Sequence, residues 1–144
     1  MEINETELKT ILECSETETH EQLKELLKEI SIKIRFLECG LYFNGDKEAR
    51  NIYEITIKRN NKAIKFRYGD SVFNTNEGKD PKIYDILACV KMDFYVADSF
   101  EEFCYEFCYD KDSRKIEKLF KRCLRQSQKL HLIFNDDEIN WLPD

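Results

Sequence analysis

The sequence predicts a single α+β domain, in which a three-stranded antiparallel sheet is covered by helices on one face. Three segments in the first half of the chain alternate apolar and charged residues with a period of two, which is typical of strands with one buried face. The segments before and after them repeat apolar residues every three or four positions, which is typical of amphipathic helices. The predicted element order is therefore α-α-β-β-β-α-α-α.

Length and composition fit one domain. A chain of 144 residues is an ordinary size for one hydrophobic core. It has four Gly and two Pro, and it contains no internal repeat and no low-complexity segment that could mark a linker. We expect one domain over residues 1–144, in which residues 1–30 form an acidic helical N-terminal extension and residues 31–144 form the α+β core.

Residues 1–30 are predicted to form two narrow amphipathic helices along one edge of the domain. The apolar stripe of the first helix contains Leu8, Ile11 and Leu12. That of the second contains Leu23, Leu26, Leu27 and Ile30. Thr19 is predicted to cap the second helix.

The period-two pattern predicts the three strands. Their apolar faces contain Ile32, Ile34 and Phe36, then Tyr53, Ile55 and Ile57, then Ile64, Phe66 and Tyr68. Residues 59–62 are predicted to join the last two strands as a tight hairpin. Gly40 is predicted to lie in a β-bulge, and Asn44 with Gly45 in a turn.

Three helices are predicted after the sheet. Asp80 is the expected N-cap of the first and Pro81 its first residue. Ser99 and Glu102 are expected to form a capping box at the start of the second. The third helix is the longest, from about Ser113 to Phe134. Its predicted apolar seam contains Ile116, Phe120, Cys123, Ser127, Leu130 and Phe134.

The chain shows no signal for export or for membrane insertion. No apolar run approaches the about 20 residues of a membrane-spanning helix, and the polar, acidic N-terminus is unlike a secretory signal. We expect a soluble cytoplasmic protein with no membrane partner, in which the six cysteines are reduced thiols used as small apolar residues. A zinc site is the competing interpretation for Cys104, Cys108, Cys123 and His131. It is disfavoured because Cys104 and Cys123 fall on predicted apolar stripes.

No catalytic motif is present. The sequence contains no Gly-rich phosphate loop, no HExxH, no G-x-S-x-G and no paired CxxC, and its two histidines, His20 and His131, lie near opposite ends of the chain. The acidic turn at Asp110 and Asp112 is explained by capping of the following helix, because a calcium loop needs more oxygen ligands. We expect a non-enzymatic protein without a cofactor or metal.

The charge is divided between two poles. Residues 1–30 hold nine Glu against three Lys, a net charge of −6, whereas residues 31–144 sum to zero. Residues 114–129 hold seven basic residues against one Glu. The candidate partner-binding residues are therefore Glu18, Glu21 and Glu25 at the acidic pole and Lys118, Arg122 and Arg125 at the basic pole. The alternative is that both poles are solvated faces that balance each other.

Aromatic residues in predicted loops are further candidates for contact with a partner, although such residues often fold back onto the core. They are Tyr42, Phe43, Phe73, Phe94 and Tyr95.

Five short segments at 52–56, 65–71, 84–89, 99–104 and 109–115 read IYEIT, KFRYGDS, YDILAC, SFEEFC and YDKDSRK. In this order they resemble segments of small uncharacterised proteins carried by bacteriophages, prophages and conjugative elements. The resemblance covers about residues 32–134. Members of this group have Gly at the position of Cys108, where it would form a left-handed helix C-cap. Cys at this position either adopts a positive φ at some cost or marks a changed turn.

The resemblance implies an accessory protein that acts in the cytoplasm of a host cell. It implies a role in host takeover or anti-defence, and the most concrete form is a non-catalytic anti-CRISPR-type inhibitor that binds a host protein or ribonucleoprotein effector. It brings no catalytic residues. The alternative is a small nucleic-acid-binding accessory protein that uses the basic C-terminal helix.

Overall fold

A computed structural model describes residues 3–41, 49–71 and 81–144 of the chain. Two helices and three strands come first: α1 (Glu5–Glu13), α2 (His20–Glu29), β1 (Ile30–Leu41), β2 (Ala49–Arg59) and β3 (Lys62–Ser71). A 3₁₀ turn at Thr17–Thr19 leads into α2. Four helices follow: α3 (Ile83–Phe94), α4 (Phe100–Phe107), α5 (Arg114–His131) and α6 (Asp136–Trp141).

The sheet is antiparallel with the order β1-β2-β3, and helices pack on its apolar face. The predicted α+β class and the predicted element order are confirmed. The short helix α6 at the end of the order was not predicted. It places Ile139 and Leu142 in the core and Trp141 against it.

The strand register places the predicted apolar residues in rows. Ile57 of β2 pairs with Ile32 on one side and with Ile64 on the other. Two residues further along, Ile55 pairs with Ile34 and Phe66, so these side chains point to the same face of the sheet. The prediction of a bulge at Gly40 was wrong. Gly40 pairs with Arg50, and the register shift lies between Phe36 and Glu38.

The hairpin between β2 and β3 was predicted correctly. Its two-residue turn at Asn60 and Asn61 has a positive φ of 55° at Asn60, a conformation that Asn tolerates better than most residues. The predicted turn at Asn44 and Gly45 lies outside the described residues.

The N-terminal helices belong to the same core as the sheet. Ile11 of α1 and Leu23, Leu26 and Leu27 of α2 are buried in one cluster with the inner-face isoleucines of the strands. The helix α1 contacts α3, and α2 contacts β1 and α6. Residues 5–29 therefore contribute core side chains as well as surface charge.

Several helix starts follow the predicted chemistry. The side chains of Ser99 and Ser113 accept hydrogen bonds from the amides of Glu102 and Ile116, three residues further on. At Ser99 this is one half of the predicted capping box, because the Glu102 side chain does not accept from the Ser99 amide. Thr19 precedes α2, but its hydroxyl donates to the carbonyl of Glu16 instead of capping the helix. The helix α3 begins at Ile83 with Lys82 at its N-cap, so Pro81 lies before the helix, and Asp80 lies outside the described residues.

The predicted seam of α5 is correct in its C-terminal half, where Ser127, Leu130 and the following Phe134 are buried. In the N-terminal half the most buried residue is Leu119, which was not predicted. Ile116, Phe120 and Cys123 are only partly buried.

The end of α4 adopts the left-handed conformation at Cys108, so of the two predicted outcomes the structure has the positive φ and not a changed turn. The φ and ψ of Cys108 are 57° and 36°. The amide of Tyr109 donates to the carbonyl of Cys104 at 2.9 Å, and the amide of Cys108 donates to that of Tyr105 at 3.4 Å. This is the bond pattern of a Schellman motif, in which glycine is the preferred left-handed residue.

We expect Cys108→Gly to raise the free energy of unfolding by about 1 kcal/mol, because a side chain in this conformation is strained by about 1–2 kcal/mol and the gain is reduced by the extra freedom of glycine in the unfolded chain. Urea denaturation measures the change. Cys108→Ala is the matched control, because it removes the thiol but keeps the strained Cβ. A stabilisation by alanine equal to that by glycine would contradict the prediction.

Within the described segments, no helix is both long enough and apolar enough to cross a membrane.

Candidate functional site

The basic pole forms one exposed face of α5. Lys118, Arg122, Arg125 and Lys129 are spaced by four, three and four residues, so their side chains lie on one side of the helix. All four are exposed. A shallow hollow of about 340 Å³ lies on this face, lined by Lys118, Leu119, Lys121, Arg122 and Arg125. The structure therefore brings the three predicted basic residues together at one concave surface, which we call the basic face of α5.

Little negative charge compensates this face within its own helix. Glu117 is the only acidic residue of α5, and its carboxylate forms an ion pair with Lys121 at 3.4 Å. Like charges three or four residues apart destabilise a helix by a few tenths of a kcal/mol per pair. Within α5, basic residues therefore outnumber carboxylates, which suits contact with an anionic ligand.

An aromatic cluster holds the N-terminal half of α5 in place. Phe103 of α4 lies with its ring centroid 5.2 Å from that of Phe120 of α5, and 5.7 Å from that of Tyr109. Phe100 and Phe107 complete the cluster. Because α4 packs mainly on α5, this cluster fixes the half of the helix that displays Arg114, Lys115 and Lys118.

The acidic pole lines a second hollow, of about 470 Å³, between α2 and α6. It is lined by Glu21, Gln22, Glu25, Leu26, Glu29, Arg59, Glu138 and Trp141. Glu21 and Glu25 are strongly exposed, and they form ion pairs with Lys24 at 3.4 Å and Lys28 at 3.1 Å. Glu18 is also exposed, in the 3₁₀ turn before α2, but it does not line the hollow.

Arg59 forms the floor of this acidic hollow and was missed by the sequence analysis. Its guanidinium donates to Glu29 Oε2 at 2.7 Å, to Glu138 Oε1 at 2.7 Å and to the carbonyl of Ile133 at 2.7 Å. The hydrogen bonds to Glu138 raise the pKa of Arg59, and the same contact lowers the pKa of Glu138. The signal was available in the strand pattern, because position 59 has the parity of the inner-face residues Ile55 and Ile57.

The cysteines do not form a cluster with His131. Cys104 is buried and Cys89 and Cys123 are partly buried, but Cys14, Cys39 and Cys108 are exposed. The expectation that the thiols serve as core residues was therefore wrong for the three exposed ones. Among the described residues, no group of three or more His, Cys, Asp or Glu side chains could hold a metal ion.

One thiol has a specific polar partner. The Cys89 thiol donates a hydrogen bond to Asp93 Oδ2 at 3.3 Å. Burial raises the pKa of both groups, so the Cys89 thiol stays protonated and is a poor nucleophile at neutral pH. A catalytic cysteine usually has a lowered thiol pKa, and the pKa of Cys89 is shifted in the opposite direction.

The predicted loop aromatics have different positions. Phe94 lies in α3, is fully buried and stacks on the ring of His131 at 3.8 Å, so its placement in a loop was wrong. Tyr95 follows it and is 57% exposed. Tyr42, Phe43 and Phe73 lie outside the described residues.

No known protein family, no curated protein and no solved structure matches this chain. The resemblance to accessory proteins of bacteriophages and mobile elements therefore stays a prediction.

Proposed function

We propose that this protein is a non-catalytic nucleic-acid-binding accessory protein whose contact surface includes the basic face of α5. The observation that carries the proposal is the alignment of Lys118, Arg122 and Arg125 around one exposed hollow, next to Lys129 on the same side of the helix. Phosphate groups suit this surface, because Arg and Lys side chains donate charge-assisted hydrogen bonds to phosphate oxygens.

The overall charge of −6 is compatible with this proposal because the negative charge is concentrated elsewhere. The net charge of residues 1–30 is −6, which equals that of the whole chain. Carboxylates of α2 and α6 line a separate hollow. A molecule with separate poles binds a polyanion through the basic pole while the acidic pole points away from it. Such a distribution orients the protein on its ligand.

A second proposal is the anti-CRISPR-type inhibitor of a host protein or ribonucleoprotein effector, with contact through Glu18, Glu21 and Glu25. The acidic hollow supports it, because the partly buried Trp141 adds apolar area beside the carboxylates. Carboxylates suit a basic protein surface through complementary charge, and aromatic side chains are enriched in the buried centre of interfaces. The ion pairs with Lys24 and Lys28 reduce the negative charge of this face, which makes mimicry of a phosphate backbone the weaker mechanism.

We expect the triple variant K118E/R122E/R125E to lose affinity for nucleic acid by more than about tenfold, because three phosphate contacts become repulsive. The negative slope of log K against log salt should become less steep by about 2.7, since each of the three phosphate contacts contributes about 0.9 to its magnitude. Fluorescence anisotropy with a labelled 20-base-pair DNA at several salt concentrations measures both. An unchanged melting curve would show that the fold is intact, as expected for exposed charges.

The control variant E18K/E21K/E25K separates the two proposals. If nucleic acid is the ligand, this variant binds DNA at least as tightly as the wild type. If a host effector is the ligand, a pulldown from a CRISPR-bearing host lysate recovers a protein with the wild type and with the basic-face variant, but not with E18K/E21K/E25K. That second pattern, with no DNA affinity tighter than about 100 μM at physiological salt, would overturn the first proposal.

A further inference from the structure

The face of the sheet that points away from the helices is also basic in the rows nearest the β2–β3 hairpin. Between residues 31–35, 54–58 and 63–67, the residues with outward parity are Ser31, Lys33, Arg35, Glu54, Thr56, Lys58, Ala63, Lys65 and Arg67. We call this set the outer sheet face. It contains five cations and one carboxylate, and all five cations are exposed.

The register places these cations in rows across the strands. Lys33 and Lys65 lie on either side of Thr56, two strand spacings or about 10 Å apart at their Cα atoms. Arg35 and Arg67 lie on either side of Glu54, whose carboxylate is 3.2 Å from Arg35. The next row adds the carboxylate of Glu38 at the far end of β1. The rows nearer the hairpin therefore hold the greatest excess of positive charge.

This excess differs from an ordinary solvated sheet face. An antiparallel sheet can expose one polar face to water, but a surface that serves solubility alone usually mixes both signs of charge. In the register, Lys58 lies diagonally across the strands from both Lys33 and Lys65, so these three cations share one patch of the outer sheet face. A phosphate backbone would neutralise them.

The outer sheet face meets the basic face of α5 at the edge strand β3. The ammonium group of Lys129 donates a hydrogen bond to the main-chain carbonyl of Lys65 at 3.1 Å. Lys129 is the last basic residue in the stripe of α5 that includes Lys118, Arg122 and Arg125. The positive charge thus continues from the helix, around the edge of β3, onto the outer sheet face.

We propose that the outer sheet face and the basic face of α5 form one binding surface for the phosphate backbone of double-stranded DNA. This inference rests on the proposed nucleic-acid function and extends its contact surface. Proteins that bind single strands use aromatic side chains on which bases stack. The outer sheet face, as defined above, contains no aromatic residue, which favours a duplex held through its phosphates. Binding through phosphates alone is independent of base sequence.

The test is the triple variant K33A/K58A/K65A of the full chain, with the same labelled 20-base-pair DNA. We expect the affinity to fall by about tenfold at physiological salt. The negative slope of log K against log salt should become less steep by about two to three. Two duplexes of unrelated sequence should bind the wild type within about twofold of each other. A single strand of 20 nucleotides should bind more weakly than the duplex.

The matched control K9A/K24A/K28A removes the same charge from α1 and α2 and should leave the slope unchanged. If K33A/K58A/K65A keeps the wild-type slope while K118E/R122E/R125E loses it, the outer sheet face is not part of the surface, and the proposed function stands without it. If a single strand binds more tightly than the duplex, the assignment to duplex DNA is wrong. If the wild type binds neither, both proposals fail.

Discussion

A chain that lacks residues 1–29 is expected to be unfolded. Four of the removed side chains, Ile11, Leu23, Leu26 and Leu27, are at most 7% exposed and belong to the core cluster. Truncating one such residue to alanine costs about 2–5 kcal/mol, and the whole stability of a domain is about 5–15 kcal/mol. Removing all four side chains also exposes the inner face of β1 to water. The free energy lost in this way is therefore larger than the stability of the whole domain.

Circular dichroism and urea denaturation of the truncated chain test this expectation. We predict no cooperative transition for the truncated chain, in contrast to the full chain. Leu23→Ala is the graded control, with an expected loss of about 2–5 kcal/mol and a fold that is retained or marginal. A cooperative transition in the truncated chain with a midpoint close to that of the full chain would contradict the prediction.

This result bears directly on how the acidic pole is studied. A deletion of the N-terminal helices would abolish activity through unfolding, whatever those helices contact. Charge reversal at Glu18, Glu21 and Glu25 leaves the buried stripe in place, because these side chains are exposed. The loss of activity in the reversed variant would therefore report on the surface.

The fold could be predicted because its local patterns are unambiguous. Alternation over β1, β2 and β3 defines which residues face the helices, and the register keeps that parity on both sides of β2. The bulge at Leu37 could not be predicted, because its position depends on how β1 follows the twist of β2. The helix α6 was missed because six residues are too few to show helical periodicity. Its capping box at Asn135 and Glu138 was the available signal.

The candidate site could be predicted only in part. The basic face of α5 lies on one helix, so its spacing could be recognised in the sequence. The outer sheet face is assembled from three strands, and each strand alone shows only the ordinary alternation of a solvated face. The combined surface of the three strands depends on the tertiary structure, and so does the contact of Lys129 with the edge of β3. Neither can be recognised from a local sequence pattern.

The second large effect is expected at Arg59, which joins three separate elements. Arg59 of β2 contacts Glu29 of α2, Glu138 of α6 and the carbonyl of Ile133 between α5 and α6. The side chain of Glu138 is 10% exposed, so it would be left as a nearly buried, unpaired carboxylate without Arg59. We expect Arg59→Met to lower the free energy of unfolding by about 3–5 kcal/mol, the range for one broken partner of a buried pair.

Two variants show whether the unpaired charge is the cause. In R59M/E138Q the carboxylate is replaced by an amide that can still accept the hydrogen bond from the Asn135 amide, which the Glu138 carboxylate now accepts at 3.0 Å. We expect this double variant to recover part of the loss. The exposed pair Arg35 and Glu54 is the control, and Arg35→Met should cost less than about 1 kcal/mol. A double variant no more stable than R59M would show that packing of the arginine side chain is responsible instead.

The dependence on pH gives an independent check of the same interaction. Because Arg59 lowers the pKa of Glu138 in the folded protein, the stabilisation is fully present above the ordinary glutamate pKa of about 4.3 and is lost as the pH falls through the lowered value. In R59M, burial without a partner should raise the pKa of Glu138. Acid then protonates this carboxylate in the variant first and removes its unpaired charge. The difference in stability between the wild type and R59M, measured by urea denaturation, should therefore be largest at neutral pH. It should shrink as the pH falls, first through the raised pKa of Glu138 in R59M and then through its lowered pKa in the wild type. A difference that stays constant down to pH 3 would exclude the ion pair as its source.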